Sequence, residues 1–419
     1  MRCITLVECA QVEFQGSIFK NAMALGDVDN DGLCELVVGS QDGELAIFKG
    51  IQSVKPWKRG TNLGMIVAVG IGDIFNCKHN SLIVISGEGW CYIFDFVAIL
   101  KNDDSDVVYP VHTQRIPANV KALIVDDFNG DGFVELVIAL TDRVVRSYKW
   151  SNTEVPSRRF TMPIQPNGKL VALNKWEFTS QIGNITTNLM ADGTPTLLVS
   201  HPGGTFIRLK LGQKGDTTDR APIEILSGKS VAYHNLGLSQ KRNPNVSTEI
   251  VGFIQDVPNA NDKCALPFAI ATLDGSLTLV KEDVSLWSLQ VDRNLFCVSK
   301  LDVTGDGKDE IVACAWDGYT YIVNTEGKTV RFAFGQSVSS FCAGNFSVDH
   351  GGNSKALIYA TFEGKIYIYY NLNVERMDLV TYKELLSDNS VSLLRSLDMD
   401  INNSEKMKEL ASYLLYKYK

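Results

Sequence analysis

Long apolar runs are missing from the sequence. Segments such as Leu82–Ser86 and Ile311–Trp316 are strand-sized, far short of the roughly 20 residues a helix needs to cross a bilayer. Histidine is scarce. His79, His112, His201, His234 and His350 are the full set; none falls in a nucleophile or metal motif, and all five read as ordinary surface or turn residues. The nine cysteines are odd in number, scattered, and contain no C-x-x-C pair, which argues against zinc sites and a disulfide framework. Cys91, Cys314 and Cys342 lie in apolar, strand-like runs, where a thiol behaves as a small buried hydrophobe. No P-loop or G-x-S-x-G occurs, and Gly70-Ile71-Gly72 runs into Asp73-Ile74-Phe75 without the third glycine of a dinucleotide fingerprint. The opening Met1–Glu8 has no apolar h-region, because Glu8 interrupts it. The expectation is a reduced, intracellular protein, in which the N-x-S/T triplets at Asn184, Asn245, Asn345 and Asn402 are chance matches.

Positive charge is also short. The 40 Lys+Arg stand against 48 Asp+Glu, a net charge of −8 over 419 residues, which argues against a binder that neutralises nucleic-acid phosphates. What the chain does have is a sizeable apolar content, 45% against 21% charged, enough for a large core. Its 34 glycines against 12 prolines suit a fold with many tight turns. The length permits two or three domains or one large all-β domain.

A repeat accounts for the glycines. Ala22–Phe48 reads AMALGDVDNDGLCELVVGSQDGELAIF: a strand, an acidic loop, a strand at Glu35–Gly39, an Asp42-Gly43 turn and a strand at Glu44–Phe48. Asp-Gly between apolar runs is a strong hairpin signal, because the turn requires positive φ. The turn recurs at Glu88-Gly89, Asp142-Arg143, Pro202-Gly203-Gly204, Asp274-Gly275, Asp317-Gly318 and Glu363-Gly364, in steps of 46, 54, 60, 72, 43 and 46 residues. The two stretched intervals contain the polar segments Gly212–Ser230 and Gln240–Lys263, which read as surface insertions. Seven such units predict an all-β fold, a seven-bladed β-propeller over residues 1–371, with Cys3–Phe14 as the closing strand of the last blade. Residues 372–419 are expected to form a helical tail: short helices at Asp378–Leu386 and Asp388–Leu397, the second capped by Ser387 or Asp388, then an amphipathic segment capped by Asn402 or Asn403. That segment carries Met407, Leu410, Ala411, Leu414 and Tyr418 on one face; it either packs back on the propeller or docks on a partner.

Three units contain a nine-residue acidic loop. Unit one has Asp27, Asp29, Asp31, Gly32 and Glu35; unit three has Asp127, Asn129, Asp131, Gly132 and Glu135; unit six has Asp302, Thr304, Asp306, Gly307 and Glu310. Side-chain oxygens at positions 1, 3, 5 and 9, with the carbonyls of Leu33, Phe133 and Lys308 at position 7, can wrap a hard cation, and calcium is the expected one. These are not EF-hands, which need a glutamate at position 12, where Val38, Ile138 and Ala313 stand. The bland reading is a set of Asx-type turns, with Asp and Gly chosen for turn geometry. The corresponding loops at Asp73–Leu82, Asn188–Leu197 and Asn345–Leu357 lack most ligands and are expected to hold no metal.

The unit GDVDNDGLCELVVGS, repeated as DDFNGDGFVELVIAL and LDVTGDGKDEIVACA, resembles the FG-GAP repeat of integrin-α propellers over about residues 20–370. Longer strings, RIPANVKALIVDDFNGDG, ELVIALTDRVVRSYKW, LWSLQVDRNLFCVSKLDVTGDG and VACAWDGYTYIV, are similar to those of the integrin-alpha FG-GAP repeat-containing family of KICSTOR-complex subunits. That likeness continues through Glu375-Arg376-Met377 into the tail. The resemblance implies a non-catalytic scaffold subunit beside a second propeller, kaptin, and a very large scaffold subunit. It implies recruitment of the GATOR-type GAP complex to lysosomes, restraining Rag GTPases and TOR signalling when amino acids are scarce. Integrin ligand-binding residues do not carry over, and acidic loops in units one, three and six depart from the consecutive calcium blades of integrins.

Two other functions remain to be weighed. One is a calcium-binding propeller acting as an independent interaction module or sensor. The other is a propeller hydrolase or quinoprotein-like dehydrogenase, which needs polar side chains converging on the axis; the inner strands offer little beyond the acidic loops. Trp316-Asp317 resembles a WD dipeptide, but no paired Gly-His accompanies it. Trp57, Trp90, Trp150, Trp176, Trp287 and Trp316 read as blade-packing residues, one or two of which could anchor an interface.

Overall fold

Every repeat contains one strand with apolar side chains on both faces: ELVVG, SLIVIS, ELVIAL, PTLLVSH, FAIAT, EIVACA and the second half of GNSKALIYAT. A strand of that kind needs a covering layer on each side. In the computed structural model, neighbouring sheets of a ring supply both layers. The structure describes residues 1–52, 54–97, 105–152, 168–210, 231–235, 245–256, 265–282, 284–349, 352–378, 388–396 and 403–416.

The chain is a seven-bladed β-propeller. Its antiparallel blades run over residues 23–60, 66–115, 120–177, 185–235, 248–290, 295–333 and 338–369. Blade one shows the plan: Met23–Gly26 innermost, then Glu35–Gly39, Leu45–Phe48 and Lys58–Gly60 outward. Second strands are buried along most of their length. Each buried Val, Leu or Ile contributes about 1.5–3 kcal/mol, so these seven strands run through the core from blade to blade. The turns between second and third strands have left-handed backbone where it is required: φ is 83° at Gly43, and 70° at Arg143, where no glycine is present. Gly39 serves a different need. Its Cα lies so close to Ile66 of blade two that an added Cβ would stand 2.9 Å from the Ile66 Cβ.

The inner strands of blades two, three, six and seven each carry a bulge near their start, around Val67, Lys121, Phe296 and Ser339. An extra residue there bends the strand and re-aims its side chain. The segment expected as one closing strand over Cys3–Phe14 is two. Cys9–Glu13 pairs antiparallel with Lys365–Tyr369 as the outer strand of blade seven. Arg2–Ile4 instead pairs parallel with Thr329–Ala333, as a fifth strand of blade six. Leu6, between them, packs on the core shared by blades six and seven.

Two further expectations change. Gln240–Lys263 is not only an insertion, since Thr248–Val251 within it is the inner strand of blade five. Most of the rest of that segment, and all of Gly212–Ser230, lies outside the described residues. The propeller also extends past residue 371. Leu372, Val374 and Met377 are buried in the core of blades six and seven, with the Val374 amide bonded to the Val303 carbonyl at 3.2 Å. Two helices follow, α1 at Asp388–Ser396 and α2 at Ser404–Tyr416. Asn403 caps α2, accepting from the amides of Glu405 and Lys406 at 3.1 and 3.3 Å. Leu394 and Met407 are buried and Leu410 is half-buried. Tyr418, and most of Asp378–Leu386, where a helix is expected, lie outside the described residues. Among the described residues, no helix is long and apolar enough to cross a membrane.

Candidate functional site

The acidic loops join the first and second strands of blades one, three and six, at the end of each blade opposite the hairpin turns. The position-1 aspartate is a backbone cap in all three. Asp27 accepts from the amides of Asp31 (3.2 Å) and Gly32 (2.9 Å), Asp127 from Gly130, Asp131 and Gly132, and Asp302 from Gly305 and Gly307. The position-5 aspartate repeats the pattern two residues on: Asp31, Asp131 and Asp306 accept from the amides of Leu33, Phe133 and Lys308 at 2.8–2.9 Å. These are the Asx turns of the bland reading.

The glutamates at position 9 differ from the rest. Glu35 and Glu135 are fully buried and Glu310 is 2% exposed. Burial and the nearby carboxylates Asp29 and Asp31 push Glu35 up to about 7, although the Val28 amide and Lys49 oppose them. Burial, with Asp131 beside it, does the same to Glu135, to about 7. One oxygen each from Asp27, Asp29 and Glu35 lie within 4.8 Å of one another, as do those of Asp127, Asp131 and Glu135. In blade six the threonine at position 3 changes the chemistry. Its hydroxyl donates to Glu310 at 3.2 Å, and the amides of Val303 and Thr304 donate to the other oxygen. In blade three Asn129 donates to Glu135 at 2.9 Å and accepts from the Asp131 amide.

A lysine stands inside two of these loops. Lys49 Nζ lies 2.5 Å from both Asp29 Oδ2 and Asp31 Oδ2 and 3.5 Å from Glu35 Oε1. Lys149 Nζ lies 3.0 Å from Asp131 Oδ2 and 3.9 Å from Glu135 Oε1. In blade six Lys355 reaches Asp302 from blade seven at 3.3 Å. The oxygens are of the hard type calcium takes, and both acidic groups are close enough to hold a metal ion; a divalent cation there would take the place the ammonium fills. Sequence reasoning passed over these lysines because they lie on the third strand, as Lys149 does, or one residue past it, as Lys49 does. Register shows the signal: Leu36 pairs with Phe48 and Leu136 with Tyr148, so Glu35 opposes Lys49 and Glu135 opposes Lys149.

The inner strands hold a second polar group that sequence reasoning missed. Lys20 of blade one forms an ion pair with Glu249 of blade five, which also accepts from Asn184 of blade four at 3.0 Å. Lys121 of blade three donates to the Ile182 carbonyl at 2.7 Å, and Asn21 donates to the Lys121 carbonyl. Blades one and five are not neighbours, so the Lys20–Glu249 pair crosses the middle of the ring. Burial lowers the Lys121 pKa. These polar groups are spent on one another.

Elsewhere, His201 departs from the expected surface role. It is 4% exposed, lies against Phe178, and bonds the Gln181 carbonyl through Nδ1 at 2.9 Å, leaving Nε2 buried without a hydrogen bond. Trp316 departs from the packing role. It is 39% exposed in the blade-six turn and stacks between Phe296 at 4.2 Å and the exposed Phe362 of blade seven at 6.2 Å.

The family described as integrin-alpha FG-GAP repeat-containing protein 2 matches residues 49–374. A mouse relative named KICSTOR complex protein ITFG2 is 39% identical, over 92% of this chain and 89% of its own length. A bovine relative of the same name is 36% identical, over 92% of this chain and 74% of its own. In fold the chain is similar to BBS1N solved in complex with ARL6DN, in lead-soaked and mercury-soaked crystals. The TM-score is 0.61 at 12% identity, covering 90% of this chain and 100% of that one.

Proposed function

The chain belongs to the integrin-alpha FG-GAP repeat-containing protein 2 family, and from that membership we propose that it is a non-catalytic scaffold subunit of a KICSTOR-like complex. The observation that carries this reading is identity of 39% along nearly the whole length of a relative bearing that complex's name. The architecture is compatible with it. The polar groups of the inner strands that could have served an enzyme bond to one another, and two exposed aromatic side chains, Trp316 and Phe362, lie on turns of adjacent blades. Its partners in this reading are a kaptin-like propeller and a very large scaffold subunit, through which the GATOR-type GAP complex is brought to the lysosomal surface to restrain Rag GTPases and TOR signalling. A calcium-sensor role would require the ammonium groups of Lys49 and Lys149 to leave their loops.

Affinity purification of the full chain from cells, followed by cross-linking mass spectrometry, tests this. A second propeller and a very large subunit are expected, with cross-links gathered on particular blades. Recovery of the chain as a monomer alone would overturn the assignment.

A further inference from the structure

We propose that the ammonium groups of Lys49 and Lys149 are the resident cations of the acidic loops in blades one and three, holding these loops closed in the place a divalent ion would take. Four observations converge on this. First, the position: Lys49 Nζ is equidistant at 2.5 Å from the outward oxygens of Asp29 and Asp31, with Glu35 Oε1 next at 3.5 Å. A single ammonium thus faces the side chains of positions 3, 5 and 9 together. Second, the recurrence: Lys149 faces Asp131 and Glu135 in the same way, from the same cross-strand register, a hundred residues further along.

Third, the need. Glu35 Oε1, the oxygen that Lys49 faces at 3.5 Å, is buried without a hydrogen bond, and buried carboxylates without a positive partner are costly. Blade six supplies the contrast. There the Thr304 hydroxyl and two amides satisfy both oxygens of Glu310, and the position opposite Glu310 is Asn324 rather than lysine. The lysine is present where the glutamate lacks that set of donors. Fourth, an aromatic ring lies beside each lysine. Lys49 Nζ lies 5.1 Å from the Trp57 ring centre and Lys149 Nζ 3.9 Å from that of Phe133, within the range of a cation–π contact.

Three protons on nitrogen can satisfy two or three carboxylate oxygens. A tethered ammonium is also always at hand, whereas a free ion must be bound at its ambient concentration. Because the charge is covalently attached, these two loops should ignore calcium, and removing the tethered charge should make them respond to it.

The test uses the full chain, with calcium and terbium as probes. Trp57, beside Lys49, serves as the antenna for terbium luminescence. Wild type is expected to give no sensitised emission and the same melting temperature in calcium as in chelator. Lys49→Met is expected to melt lower in chelator, to gain terbium emission, and to bind calcium about tenfold or more tightly than wild type. Lys149→Met should gain calcium-dependent melting at the second loop, and Lys49→Arg should behave as wild type. The wild-type chain decides the matter even if a variant does not fold. A calcium-dependent rise in its melting temperature, abolished by Asp29→Asn, overturns the proposal. Folded Lys49→Met with no gain in calcium affinity overturns it too.

Discussion

His201 is held by a single hydrogen bond, from Nδ1 to the Gln181 carbonyl, while its other ring nitrogen has none. Burial lowers its pKa against that bond, so on acidification the unfolded chain takes up this proton first. The stability it contributes is complete above the ordinary histidine value of about 6.5 and is lost as pH falls below it. His201→Asn keeps a donor near the Nδ1 position and does not titrate, so chemical denaturation between pH 7.5 and pH 5.5 should show a shallower loss than wild type; an unchanged slope would refute this. Glu249 gives a second prediction at this scale. It pairs with Lys20 and accepts from Asn184, so Glu249→Gln should cost about 1–3 kcal/mol, since the half-buried Lys20 ammonium loses its charged partner. Equilibrium unfolding measures it. The acidic loops were legible residue by residue because their spacing is local. Lys49 and Lys149 were not, because what brings them to the carboxylates is a cross-strand register set by the hairpin turn.

Among elements, the seams between blades decide which substitutions the ring tolerates. Gly39 and Ile66 meet across the seam of blades one and two, where an added Cβ would stand 2.9 Å from the Ile66 Cβ and 3.1 Å from its Cδ1. Overpacking of this kind costs about 1–3 kcal/mol. Gly39→Ala should lose that much, and pairing it with Ile66→Ala, which removes the Cγ2 an added Cβ would meet first, should cost less than the two single losses summed, because substitutions in contact do not add. Calorimetry of the single and double variants checks this, and strict additivity would refute it. The hairpin turns were legible at Gly43, Gly89, Gly275, Gly318 and Gly364, all of which have positive φ. Residues 3–14 were legible as strand but not as two strands, since a parallel pairing of three residues leaves no periodicity to read. The inner strand Thr248–Val251 was hidden for a similar reason: four residues amid polar sequence carry too little alternation.

At the scale of the molecule, the ring is closed by residues 2–13, which cover the outer edges of two blades at once. An uncovered edge strand is a template for pairing with another chain. A chain lacking residues 1–13 should therefore melt lower and form oligomers, seen as a shift in size-exclusion chromatography with light scattering; a monomer of unchanged melting temperature would refute this. That closure also sets an order of events during synthesis. Cys3 lies against Arg331, 328 residues away, so the segment that seals the ring leaves the ribosome long before the strands it must meet. Contacts of such sequence separation form slowly, and until blades six and seven emerge residues 2–13 have no strand to pair with and are open to capture by other chains. The length of that exposure is set by the distance along the chain between its first strands and its last.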